Sequence, residues 1–189
     1  MTTPRADRLK DFPAVLEATR VFLRVPRQGD GQIVYEAVVE SREDFLPWLP
    51  FAVEEPSPQK SDQWASDQHA RFLRGDPFGL LVFDRFTHEL IGSSGFANAN
   101  WSQKWCEIGY WLRTSRQGRG LMTETILFLS DFCLFEWGMD RVEIRSDPKN
   151  VRSVRVAERA GFRVEKTLTG DSMTPQGDVR DTAVYVKTR

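Results

Sequence analysis

Between Glu107 and Glu124 the chain reads EIGYWLRTSRQGRGLMTE: a strand-like run, a short basic loop holding Gly118 and Gly120, and then the start of a segment with apolar residues at helical spacing. This order of elements makes an anion site. The first amides of a helix have no intrahelical acceptor, the helix dipole adds partial positive charge there, and glycine removes the Cβ that would keep a phosphate away from the backbone. Charge points the same way: Arg113 to Arg119 carries three arginines and no acid, and Arg141 to Arg163 carries seven basic residues against Glu143, Asp147 and Glu158. Neither the GxxxxGK[ST] phosphate loop nor the GxGxxG dinucleotide fingerprint is present. Taken by itself, a GxG before a helix also reads as a tight turn with solvated arginines.

The elements that must hold this loop follow from periodicity and punctuation. Val21 to Val25 reads as the first strand and Gln32 to Glu40 as a helix. Phe45 to Phe51, FLPWLPF, is too proline-rich for a regular element and reads as a packed or a binding loop. Ser61 is the expected cap of a helix running to Gly75. Gly79 to Asp84 and Glu89 to Phe96 form a hairpin around Arg85 to His88, and Glu107 to Leu112 is a further strand. Met122, Ile126, Leu129 and Cys133 lie on one side of a helix from Leu121 to Trp137, with Gly138 as its stop. Val142 to Ile144 is a strand, Asn150 caps a helix ending at Ala160-Gly161, and Ala183 to Val186 is the last strand. The fold class is α+β, an α/β layered domain.

Composition narrows the function. The 189 residues suit one domain over 1–189, with 1–20 as an N-terminal extension, and a net charge of -1 argues against direct nucleic-acid binding. No strictly apolar run exceeds four residues, so neither a membrane span nor a secretory leader is expected, and a reducing cytoplasm fits the two unpaired cysteines. Cys133 lies on the apolar helix stripe and reads as core, Cys106 less clearly so; His69 and His88 read as surface residues, and no spacing announces a metal site.

The run Gln117-Gly118-Arg119-Gly120-Leu121-Met122 resembles the GNAT superfamily of acyl-CoA-dependent N-acyltransferases, whose signature is Q or R, two residues, G, one residue, then G or A. The final Met122 departs from that pattern, but QGRGLMTE is similar to the RimJ/RimL-type subgroup that acetylates ribosomal-protein N-termini. WLP at Trp48 to Pro50, EIGYWL, NVRS at Asn150 to Ser153 and AERAGF at Ala157 to Phe162 fall in the subgroup's order, and the likeness runs from Val21 onward. The resemblance implies a central, mostly antiparallel mixed sheet that splays after the fourth strand, flanked by helices, with acetyl-CoA as cosubstrate in the gap. It implies a monomer or homodimer acting on a protein N-terminus or small amine.

By that resemblance, backbone amides from Gln117 to Met122 hold the pyrophosphate, and Leu112 and Arg113 bond the pantetheine arm. Asn150 contacts the cosubstrate and Ser153 protonates the departing thiolate; as residues alone, they read equally well as a helix cap and its first turn. The attacking amine must be neutral, so a base is needed, and Glu107 is the candidate, against the reading of a solvated strand-end carboxylate. Trp48 and its loop wall the acceptor or simply plug the sheet. Gln176 to Tyr185 resembles the subgroup's closing hairpin. Glu40, Glu43, Asp44, Glu54 and Glu55 gather loosely around the Trp48 loop.

Overall fold

The computed structural model describes Phe12, Pro13 and residues 15–189; residues 1–11 and 14 of the expected N-terminal extension lie outside the described residues. The rest of that extension is part of the domain. β1 (Val15–Glu17) pairs antiparallel with β2 (Val21–Arg24), so the sheet begins one strand earlier than expected. Phe12, 4% exposed, meets the rings of Phe78, Phe96, Phe132 and Trp137 edge-on.

Among the described residues eight strands form one sheet. After β1 and β2 come β3 (Gly79–Asp84), β4 (Leu90–Asn100), β5 (Trp105–Leu112), β6 (Arg141–Ser146), β7 (Arg163–Met173) and β8 (Val179–Thr188), in the spatial order β1-β2-β3-β4-β5-β6-β8-β7. Every pairing is antiparallel except β5 with β6. That parallel pairing covers only Trp105–Glu107 against Arg141–Glu143, whereas β5 stays on β4 out to Leu112 and β6 stays on β8 out to Ser146. The sheet therefore opens beyond Glu107, after the fifth strand of this chain and not the fourth, because β1 is an added strand.

Among the described residues four α-helices cover the two faces: α1 (Gly31–Phe45), α2 (Pro58–Arg74), α3 (Leu121–Asp131) and α4 (Val151–Arg159). The stripe of Met122, Ile126, Leu129 and Cys133 buries against Cys106, Ile108, Val142 and Ile144, placing α3 and α4 over one face. Val34, Ala37 and Val38 of α1 pack on Leu81, Phe83 and Leu90 over the other. Both cysteines are fully buried, so Cys106 is core as well. Ser57, not Ser61, caps α2: its side chain accepts from the Lys60 N–H at 3.2 Å, and Pro58 suits the first helical position because its missing N–H would have had no acceptor. α3 ends in a wide π-turn, Phe132–Glu136. Among the described residues, no helix is long and apolar enough to cross a membrane.

Candidate functional site

The loop after β5 is held rigidly from outside and left open at its backbone. A 3-10 turn, Thr114–Arg116, leads to Gln117, whose N–H bonds the Thr114 carbonyl, and Gly118 and Gly120 then adopt φ of 75° and 74°. This left-handed backbone turns the chain into α3 and is where glycine avoids a Cβ penalty. The first α3 amide with an acceptor behind it is that of Glu124, which bonds the Gly120 carbonyl. Among the described residues no acceptor meets the amides of Gly118 to Thr123. The acid in the first turn, Glu124, cannot fill that site because Arg20 holds it by two 2.6 Å bonds, from its N–H and its Nε. Arg20 also donates to the Arg119 carbonyl at 3.0 Å. A Cβ on Gly118 would meet nothing within 4 Å, so the space beside it is free for a ligand.

The basic character of the loop is mostly spoken for. Arg113 donates to Glu40 of α1 at 2.5 Å, Arg116 pairs with Glu89, and of the three loop arginines only Arg119 has no carboxylate partner among the described residues. The N–H of Arg113 bonds Ile91 of β4. Glu40 also accepts from the Ser115 N–H; burial by itself raises its pKa, but the bonds from Ser115 and Arg113 outweigh that and hold the carboxyl below the usual range. One turn further along α1, Asp44 accepts from Thr114 Oγ1 at 2.7 Å, Gln117 Nε2 at 3.1 Å and Arg152 at 2.7 Å. Arg152 completes a triangle by donating to Gln117 Oε1. Glu40 and Asp44 thus staple the loop, and they do not merely gather around Trp48.

The opening beyond Glu107 has two different walls. On the α3–α4 side, Asn150 accepts from the Ser153 N–H at 3.2 Å, so it caps α4. The Tyr110 hydroxyl lies 3.0 Å from both the carbonyl and the Oγ of Ser153, and burial pushes its pKa up to about 12, keeping the phenol neutral. On the α1–α2 side stand Glu107 and Glu143, Cα partners across the parallel pairing, with Arg145 Nε 3.8 Å from Glu107 and 3.5 Å from Glu143. Burial raises the Glu107 pKa, Glu143 adds to the rise, and Arg145 opposes it. Glu107 is therefore no solvated strand-end carboxylate. Sequence reading missed Tyr110, Glu143, Arg20 and Arg152; the alternation along EIGYWL was the available signal for Tyr110, which sits one strand period from Ile108 and so shares its face.

Trp48 sits half-buried in the turn between α1 and the 3-10 turn Pro50–Ala52, and its carbonyl accepts from Arg180 of β8 at 3.3 Å. Gln176, in the β7–β8 turn, donates to the Leu46 carbonyl at 2.8 Å, so the closing hairpin and the Trp48 loop are tied together over this side. Beside them a groove of about 370 Å³ is walled by Trp64, Trp111 and Phe51. His69 is half-buried and not a surface residue: its Nδ1 lies 2.9 Å from the Pro26 carbonyl. His88 is exposed. The described residues contain no cluster of three or more His, Cys, Asp or Glu able to hold a metal ion.

The family model of the acetyltransferase (GNAT) domain matches residues 20–163, well over half of the chain. The chain belongs to the GNAT acetyltransferase family. Among its relatives, YjcK of Bacillus subtilis is 30% identical over 101 residues, 53% of this chain, and the chain spans just over half, 56%, of that protein. The [ribosomal protein uS5]-alanine N-acetyltransferase of Escherichia coli is 27% identical over 158 residues, 79% of this chain and 78% of the relative. The solved structure of RimL, a ribosomal α-N-protein acetyltransferase, in complex with coenzyme A superposes with a TM-score of 0.85 at 22% identity, covering 92% of this chain and 97% of that one. The microcin C7 self-immunity acetyltransferase MccE, in complex with acetyl-CoA and AMP, gives 0.86 at 20% identity, covering 94% and 97%. The expected GNAT fold, with its mostly antiparallel sheet open at one place, is the observed one.

Proposed function

We propose that this GNAT chain is an acetyl-CoA-dependent N-acetyltransferase that acts on a protein or peptide N-terminal α-amine by direct attack in a ternary complex. The observation that carries the reading is the run of unpartnered amides from Gly118 to Thr123, placed directly after the strand at which the sheet opens. Those amides with the α3 dipole suit a pyrophosphate, and those of Gly118 to Met122 hold it; the Gln117 amide, expected among them, is already bonded to the Thr114 carbonyl. The edge of β5 from Ile108 to Leu112, free of β6, takes the pantetheine arm. Asn150 fixes the start of α4, and Ser153, held by Tyr110, faces the sulfur and returns a proton to it. Glu107 draws the proton from the acceptor's ammonium, since only the neutral nitrogen has a lone pair to attack the thioester carbon. No covalent acyl-enzyme is needed, in keeping with two cysteines buried in the core.

The N-terminal reading of the acceptor is supported by the activity of the Escherichia coli relative and by the Trp48 loop, which is tied to the C-terminal hairpin. The Trp64–Trp111 groove favours a second reading, a compact amine with a flat apolar group. A thiol-release assay separates the two: acetyl-CoA is offered with peptides beginning in serine, alanine, threonine or methionine, and separately with polyamines and aromatic amines. Turnover on peptides is expected. Turnover on small amines alone replaces the acceptor, and calorimetry showing no acetyl-CoA binding sinks the assignment.

A further inference from the structure

We propose that the proton-accepting group of this site is a carboxylate pair, Glu107 with Glu143, sharing one proton across the point where β5 and β6 part. The inference rests on the acyl-transfer reading above and adds to it a residue that reading does not use. Glu143 is 8% exposed, and its two oxygens are treated differently: Oε1 accepts from Arg141 Nε at 2.7 Å, whereas Oε2 is buried with no hydrogen bond among the described residues. Arg145 Nε, 3.5 Å away, attracts Oε2 electrostatically without the geometry of a hydrogen bond. A buried carboxylate oxygen without a donor is costly. The Glu107 carboxyl makes no hydrogen bond among the described residues either, and its Oε2 faces the same Arg145 nitrogen at 3.8 Å. Glu107 and Glu143 are Cα partners on one face of the sheet, so a proton shared between their carboxyls gives Oε2 the donor it lacks.

On this face β6 presents Arg141, Glu143 and Arg145, β7 brings Glu165 with Lys166 beside it, and β4 places neutral Asn98 opposite Glu107. Arg141 is taken up by Glu143 Oε1 and by both oxygens of Glu165, at 2.7 and 2.8 Å. Glu107 and Glu143 both face the Arg145 guanidinium, and a proton shared between the two carboxyls relieves their mutual repulsion. Strongly interacting carboxyls titrate as a pair and not singly. In the reaction, one proton of the acceptor's ammonium moves to Glu107 and bridges to Glu143. The amine lone pair then forms the C–N bond, the C–S bond breaks, and the nitrogen's second surplus proton leaves with the sulfur as thiol. The third hydrogen stays on the amide.

The test reads the carboxylates directly. The full chain, labelled with carbon-13 at the glutamate side-chain carboxyl, is titrated by NMR, with Glu107 assigned by the signal missing in Glu107→Gln. Glu107 and Glu143 are expected to titrate in two shared steps. Glu143→Gln should leave Glu107 with a single step at least about one pH unit lower, and Arg145→Gln should move it upward. These opposite shifts are not expected of a residue that only supports the fold. A single Glu107 step that Glu143→Gln leaves in place overturns the proposal, and should Glu143→Gln not fold, an unmoved Glu107 in Arg145→Gln overturns it instead. The acidic limb of kcat/KM on a serine peptide should shift in step with the NMR values; absence of turnover on every amine would count against acyl transfer while the titration still decides the pair.

Discussion

Asp44 and Arg152 stand 108 residues apart in sequence and form a 2.7 Å ion pair that ties α1 to the start of α4, with Gln117 of the glycine loop bonded to both. The bond from Arg152, the largest of several, holds the Asp44 carboxyl below its usual range. Because the folded pKa is lowered, the stabilisation is present above the ordinary carboxylate range and is lost as pH falls through the lowered value. Arg152 is more than half exposed, which limits the pair to about 0.2–1 kcal/mol. Asp44→Asn should therefore lower Tm by about 1–4 °C at neutral pH, with the difference vanishing once pH has fallen through the lowered pKa, and should weaken acetyl-CoA binding several-fold because Gln117 loses its anchor. Calorimetry at two pH values checks both.

The glycine loop separates backbone strain from ligand contact. Gly118→Ala introduces a Cβ that meets no protein atom within 4 Å, at a φ of 75°. Its cost to stability should be about 1–2 kcal/mol from the left-handed backbone alone. It should also raise the Kd for acetyl-CoA by about 10-fold or more, equivalent to about 1.4 kcal/mol or more, because the methyl group enters the space a phosphate needs. Gly120→Ala should behave alike in stability. Denaturant melts beside calorimetric titrations measure the two quantities independently.

Ser153 and Tyr110 test the proton return. Ser153→Ala should lower kcat by about 100-fold and leave the Kd for acetyl-CoA nearly unchanged, since the Asn150 cap uses the Ser153 N–H and not its hydroxyl. Tyr110→Phe removes both bonds to Ser153 and should lower kcat less, at a stability cost of about 1 kcal/mol. Equal kcat in the serine variant and the parent would remove Ser153 from the chemistry.

How much of this was legible depends on which force set each element. α3 was readable because its core stripe is written in four apolar side chains at steps of four, three and four, and the glycines before it announce a backbone that few other residues adopt. β7 was not, since nearly all its side chains are exposed and no alternation marks it; its place is fixed by β8, which is buried. β1 hid behind the prolines of the N-terminal segment, with a single buried residue, Leu16. At the site, Ser153 and Glu107 lie where the strand and helix starts put them. The partners that define their environment, Tyr110, Glu143 and Arg145, come from register, because the chain brings Glu107 beside Glu143 only when β5 and β6 pair in parallel. The pairing of Arg113 and Arg116 is hidden in the sequence for the same reason: Glu40 and Glu89 reach them only through the tertiary fold.

Glu107 sets stability against activity. Its pKa is raised, chiefly by burial, with Arg145 pulling down and Glu143 pushing up. For an acid whose folded pKa exceeds the unfolded one, the charged form costs stability above the folded value, and the cost disappears below the unfolded value near pH 4. Glu107→Gln keeps the shape and removes the charge, so at pH 8 it should melt higher than the parent, by about 1–3 °C, and the two curves should converge as pH approaches 4. Over the same range kcat/KM of the parent should fall as pH drops through the raised pKa, whereas the glutamine variant should be slower by about 100-fold or more and should lack that limb. Scanning calorimetry and initial rates across pH 4–9 measure both. A variant that is slower but no more stable would mean the Glu107 charge is solvated after all, and a more stable variant that keeps the parent's acidic limb would move the base to another group.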